Sequence, residues 1–99
     1  MEIEQLLHLF KKRFGVTIEL NNLGNETVLL YHDELDNALF PSHVLESLPN
    51  PVLIHTYIYK EESEWLIGIA SKAITNQPLY LVCLKDGRRI YDKKIAVIL

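Results

Sequence analysis

A single cysteine, Cys83, stands among 99 residues. No intrachain disulfide can form, no thiolate-rich metal site can be assembled, and a reducing compartment suits the chain. Glycine is also scarce: Gly15, Gly24, Gly68 and Gly87 are isolated, so no glycine-rich loop exists to cradle a phosphate. No apolar run approaches the roughly 20 residues that span a bilayer. The start of the chain lacks the basic, then apolar, then small-residue pattern of a secretory signal. Cationic excess is missing too. Ten Lys and Arg face 13 Asp and Glu, for a net charge of −3, which argues against holding nucleic acid by phosphate neutralisation. The expectation is a cytoplasmic protein with no membrane and no direct nucleic-acid partner.

What remains is a globular balance, 48% apolar and 23% charged, sized for one domain over residues 1–99 with a single core. Ile3, Leu6, Leu7, Phe10 and Phe14 recur at steps of three and four, which predicts an amphipathic helix from Glu2 to about Phe14. Lys11, Lys12 and Arg13 complement the negative end of its dipole, and Gly15 can close it in a left-handed cap. Val16–Leu20 and Thr27–Tyr31 are rich in β-formers and flank turn residues Asn21 to Glu26, which predicts a β-hairpin. Asp33 and Ser42 are placed to cap short helices running to Phe40 and Leu48, on either side of Pro41.

The second half predicts strands. Val52–Lys60 and Trp65–Lys72 flank the polar Glu61-Glu62-Ser63-Glu64. With Lys60 opposite Trp65, one face would carry Val52, Ile54, Thr56 and Ile58 beside Ile67 and Ile69. The other would set His55, Tyr57 and Tyr59 beside Leu66, Gly68 and Ala70. Thr75-Asn76-Gln77-Pro78 predicts a turn, and Asp86-Gly87 predicts a tight hairpin joining Leu79–Lys85 to the strand after it. Ile95–Leu99 would form an apolar edge where a second copy could pair, giving a homodimer. The predicted class is α+β: an N-terminal helix, a hairpin, a helical segment, then three or four strands of one largely antiparallel sheet.

Catalytic chemistry finds little footing. His8, His32, His43 and His55 show no metal-ligand spacing, so neither a metal nor another cofactor is expected. Cys83 lies between Val82 and Leu84, where cysteine is usually an inert apolar side chain. Ser42 and Ser71 lack the glycine-flanked turn that exposes a nucleophilic hydroxyl. No catalytic residue is assigned, and the chain is not expected to be an enzyme. The most suggestive grouping is aromatic. Rings with polar tips at His55, Tyr57 and Tyr59, over a floor of Gly68 and Ala70, would suit a pocket for a small ligand.

Leu6-Leu7 through Phe14-Gly15-Val16-Thr17-Ile18-Glu19-Leu20, followed by a polar turn and Thr27-Val28-Leu29-Leu30, resembles the first helix and hairpin of GAF- and PAS-type sensory domains. That resemblance implies a small-molecule-sensing or dimerisation module, as found at the front of bacterial regulators. The alternative expectation is a free-standing protein-binding module: an immunity protein, an antitoxin-like protein or a phage-encoded inhibitor. It predicts a filled interior with a binding surface outside.

Overall fold

The computed structural model describes residues 3–95. Helix α1 (Ile3–Phe14) is followed by strand β1 (Leu23–Leu30), the short helix α2 (Ser42–Leu45), and strands β2 (Val52–Lys60), β3 (Glu64–Ser71), β4 (Pro78–Lys85) and β5 (Arg88–Lys94). The five strands form one sheet in the order β1-β2-β3-β4-β5. Every neighbouring pair is antiparallel. The α+β class therefore stands, with the strands laid down as a meander.

The first helix forms where its apolar stripe lies. Leu6 and Phe10 are fully buried while Glu4, His8 and Lys11 to Arg13 face outward. Gly15, at a φ of 68°, takes the left-handed position, and its N–H donates to the Lys11 carbonyl at 3.1 Å, which closes the last turn. Glu2, the expected first residue, lies outside the described residues.

The expected hairpin of Val16–Leu20 with Thr27–Tyr31 does not form. Val16 to Glu19 is an irregular connection that carries the chain from the helix layer to the sheet, ending in a 3₁₀ turn at Leu20–Asn22. Ile18 anchors it in the core, and Lys11 Nζ donates to Thr17 Oγ1 at 3.1 Å. β1 instead starts at Leu23, absorbs Gly24, Asn25 and Glu26 of the expected turn, and pairs with β2. Polar residues are tolerated there because one long side of an edge strand is solvated.

The expected middle helices shrink to a 3₁₀ turn at His32–Glu34 and the four-residue α2. They belong to a long crossover whose Phe40, Val44 and Leu48 pack on Val52, Ile54, Ala70, Val82 and Leu84. The opposite sheet face carries Tyr57, Tyr59, Trp65, Ile67, Ile69, Leu81 and Cys83 beneath Leu6 and Phe10 of α1. The sheet is thus covered on both sides, and its inner strands are apolar on both faces.

The β2–β3 register differs from expectation by one residue. Lys60 lies opposite Glu64, and Tyr59 opposite Trp65. A slip of one residue exchanges all the side chains of a strand between faces, so Ile67 and Ile69 join the rings while Leu66, Gly68 and Ala70 join the aliphatic side. The cause is tertiary. The β4–β5 turn draws Glu64 into the sheet, with Asp86 N donating to the Glu64 carbonyl and Glu64 N to Asp86 Oδ1, both at 2.8 Å.

At that turn Asp86 and Gly87 have φ of 50° and 81°, the pair of positive values a type I′ hairpin requires. Beyond it, Leu84 lies opposite Arg89 but Cys83 opposite Tyr91, leaving Ile90 as a bulge. Of the apolar end expected to form an edge, Ala96–Leu99 lies outside the described residues. Ile95 N–H donates to the Leu79 carbonyl at 2.9 Å. Among the described residues no helix is long and apolar enough to cross a membrane.

Candidate functional site

The ring-bearing face of β2 is packed core for most of its length. Tyr57 and Tyr59 are buried, Tyr59 to 1% exposure. The Tyr59 hydroxyl donates to Glu61 Oε2 at 2.9 Å, with the Thr17 carbonyl at 3.4 Å. That bond to a carboxylate raises the hydroxyl above the ordinary tyrosine range. Trp65 beside it meets Phe10 edge-on at 5.5 Å and Phe14 at 5.3 Å.

Gly68 and Ala70 do not lie beneath these rings. A Cβ on Gly68 would come within 3.2 Å of the side chains of both Leu39 and Val82, and Ala70 is buried among Phe40, Val44 and Val52. The five residues grouped from the sequence therefore divide, with His55, Tyr57 and Tyr59 on the α1 face and Gly68 and Ala70 on the crossover face. No ring-lined pocket with a small-residue floor results.

His55 is where the ring face ceases to be closed core. Its ring stacks on Tyr57 at 4.5 Å between centroids, 26° between planes. It lines a shallow cleft of about 340 Å³ with Thr27, Leu53, Ile69, Ser71 and Asn76. Nε2 is buried without a hydrogen-bond partner among the described residues, and burial lowers the imidazole below its usual range. His32 is committed elsewhere, its Nε2 donating to the Pro49 carbonyl at 2.8 Å. Among the described residues no three His, Cys, Asp or Glu side chains gather as metal ligands would. Burial pushes the Cys83 thiol up to about 12, so it holds its proton at neutral pH.

The two edges of the described sheet contrast sharply. β5 carries Arg88, Arg89, Lys93 and Lys94, and is broken by the Ile90 bulge. Charges and bulges are the devices by which natural sheets discourage a further strand. β1 has neither. Its eight residues pair with β2 without a break, and Glu26 is its sole charge. Exposed large apolar side chains concentrate beside it: Leu29 at 51% within the strand, with Leu20 at 58% and Tyr31 at 54% at its two ends. This edge was hidden in the sequence, because Thr27–Tyr31 was expected to be covered by Val16–Leu20.

On the crossover face, α2 and the turn after it leave a groove of about 850 Å³ against β4 and the end of β5. It is lined by His43, Val44, Ser47, Leu48, Leu79, Tyr80, Lys94 and Ile95. These residues are far apart in sequence, and only the fold assembles them.

The chain matches no protein-family model, no curated protein and no solved structure.

Proposed function

We propose that this chain is a non-catalytic protein-binding module, and that it works through the open edge of its sheet, pairing β1 with β1 of a second copy. One observation carries the reading: β1 is a regular, unbulged edge with a single charge and an exposed leucine, while β5 is guarded. An edge strand offers a row of unpaired backbone groups that an added strand satisfies. The packed interior beneath α1 favours an outside surface over a ring-lined ligand pocket.

Antiparallel pairing about a two-fold axis at Thr27 sets Glu26 opposite Val28 and Asn25 opposite Leu29. The two Glu26 carboxylates then avoid each other, and like charges placed directly opposite are destabilising. A two-fold contact of this kind is self-limiting, whereas β1 on β5 would be head-to-tail and prone to open filaments. The cations and bulge of β5 disfavour that second arrangement.

Sedimentation velocity from about 1 μM to about 1 mM chain tests it. The expected result is a reversible dimer that the double variant Thr27→Lys, Leu29→Lys weakens at least about tenfold. Both positions are exposed, so the folded monomer should keep its thermal midpoint. A strict monomer across the range would overturn the proposal, as would a dimer indifferent to the two lysines.

A further inference from the structure

We infer that the groove between α2 and the ends of β4 and β5 is a binding site for a small amphipathic monocarboxylate, an aliphatic acid whose chain lies on the floor and whose carboxylate meets Lys94. The site is independent of the β1 edge. Val44 and Leu48, both buried, form the floor on the α2 side, and Leu79, Tyr80 and Ile95 close it from the sheet. A space of about 850 Å³ is ample for a chain of about eight carbons, given that ordinary ligand pockets run about 300–1,000 Å³.

The charges around the groove select the head group. Lys94 and His43 are both exposed at its rim. Among the described residues neither makes an ion pair, the only pairs there being Lys60 with Glu64 and Arg89 with Asp92. Asp92, two positions before Lys94 on β5, is the nearest competing anion along the strand. It is engaged by Arg89 Nε at 3.7 Å and lies beside the Tyr80 hydroxyl, which burial and then this carboxylate raise. Glu46 is exposed on the segment that follows α2, and Ser47 Oγ is spent on the Val44 carbonyl at 2.8 Å. Lys94 thus brings to the rim a full positive charge that no carboxylate among the described residues pairs. A monoanion balances it. A phosphate dianion would bring a second charge towards Asp92.

Titration of the full chain with octanoate, hexanoate and octylammonium, followed by backbone amide shifts, tests the assignment. Octanoate should move the amides of Val44, Leu48, Leu79, Tyr80 and Lys94 and bind about tenfold more tightly than octylammonium. Hexanoate should be weaker by about fourfold for each methylene lost. Lys94→Glu, at an exposed position that spares the fold, should weaken octanoate about tenfold and turn the preference towards octylammonium. Equal binding of the two probes by the wild type would overturn the assignment, as would a preference that Lys94→Glu leaves unchanged or shifts centred elsewhere. Groove amides that move with protein concentration alone would assign the site to a second copy. Contacts from Ala96–Leu99 to Val44 that persist at saturating octanoate would assign it to the chain's own end. Either result would overturn the inference. The Thr27→Lys, Leu29→Lys variant should bind octanoate as the wild type does, so failure of one proposal leaves the other to be judged separately.

Discussion

Tyr59 stands opposite Trp65 across the β2–β3 ladder, and this pairing places the indole under α1, against both Phe10 and Phe14. Phe10 is fully buried and touches both other rings. Phe10→Ala should therefore destabilise the chain by about 3–5 kcal/mol, combining lost transfer energy with an unfilled cavity. Urea denaturation measures the loss. Trp65 is the only tryptophan, so its native emission should shift to the red as water gains access. An emission maximum that stays put in the variant would mean that α1 does not cover the indole.

Gly68 belongs to the opposite face, and its substitution separates the two sides of the sheet. A Cβ would meet Leu39, on the crossover, and Val82, in the middle of β4, each at 3.2 Å. Leu39 is half-buried and has some room to yield, but Val82 is fully buried. Gly68→Val should cost about 2–3 kcal/mol by overpacking, while leaving Trp65 emission unchanged. A valine accepted without cost would mean that the crossover packs more loosely there than these distances require.

Much of this arrangement was legible along the chain. The three- and four-residue steps from Ile3 to Phe14 name the buried side of α1, and Asp86-Gly87 names the hairpin between β4 and β5. What escaped was decided by distant partners. Glu64 reads as a solvated turn residue, yet Asp86, twenty-two positions away, holds it in the ladder, and that one residue reverses the faces of β3. Val16–Leu20 has the composition of a strand, but β2 takes the place beside β1. The candidate site suffered accordingly. His55, Tyr57 and Tyr59 share a face because alternation along one strand is local, whereas their neighbours on β3 depended on the register. Neither the open edge nor the α2 groove has a local signature, since both arise from what the fold leaves uncovered.

Cys83 tests how closed the sheet is. It is fully buried in β4, and a thiol pushed up to about 12 by burial offers almost no thiolate at pH 8. An aromatic disulfide reagent should label the native chain only as fast as it opens, and label it at once in denaturant. Rapid native labelling would show that β4 is exposed to solvent far more often than its burial implies.

His55 should give stability a dependence on pH. Burial lowers its pKa in the folded chain below the model-compound value of 6.5, so between these two values the unfolded chain binds more protons than the folded one. Stability therefore rises with pH through that window and levels off above about 6.5. On acidification it falls as pH drops below that value, with a slope from this residue of at most about 1.4 kcal/mol per pH unit. His55→Phe should abolish this component and keep the ring that stacks on Tyr57. It should also raise the baseline at neutral pH, because the buried Nε2 has no hydrogen-bond partner among the described residues and such a group costs about 1–3 kcal/mol to leave unsatisfied. Chemical denaturation at intervals from pH 5 to pH 8 distinguishes the two chains. Parallel curves would remove His55 as the source, and a less stable phenylalanine variant at pH 8 would mean that the imidazole makes a favourable contact there which outweighs its orphaned nitrogen.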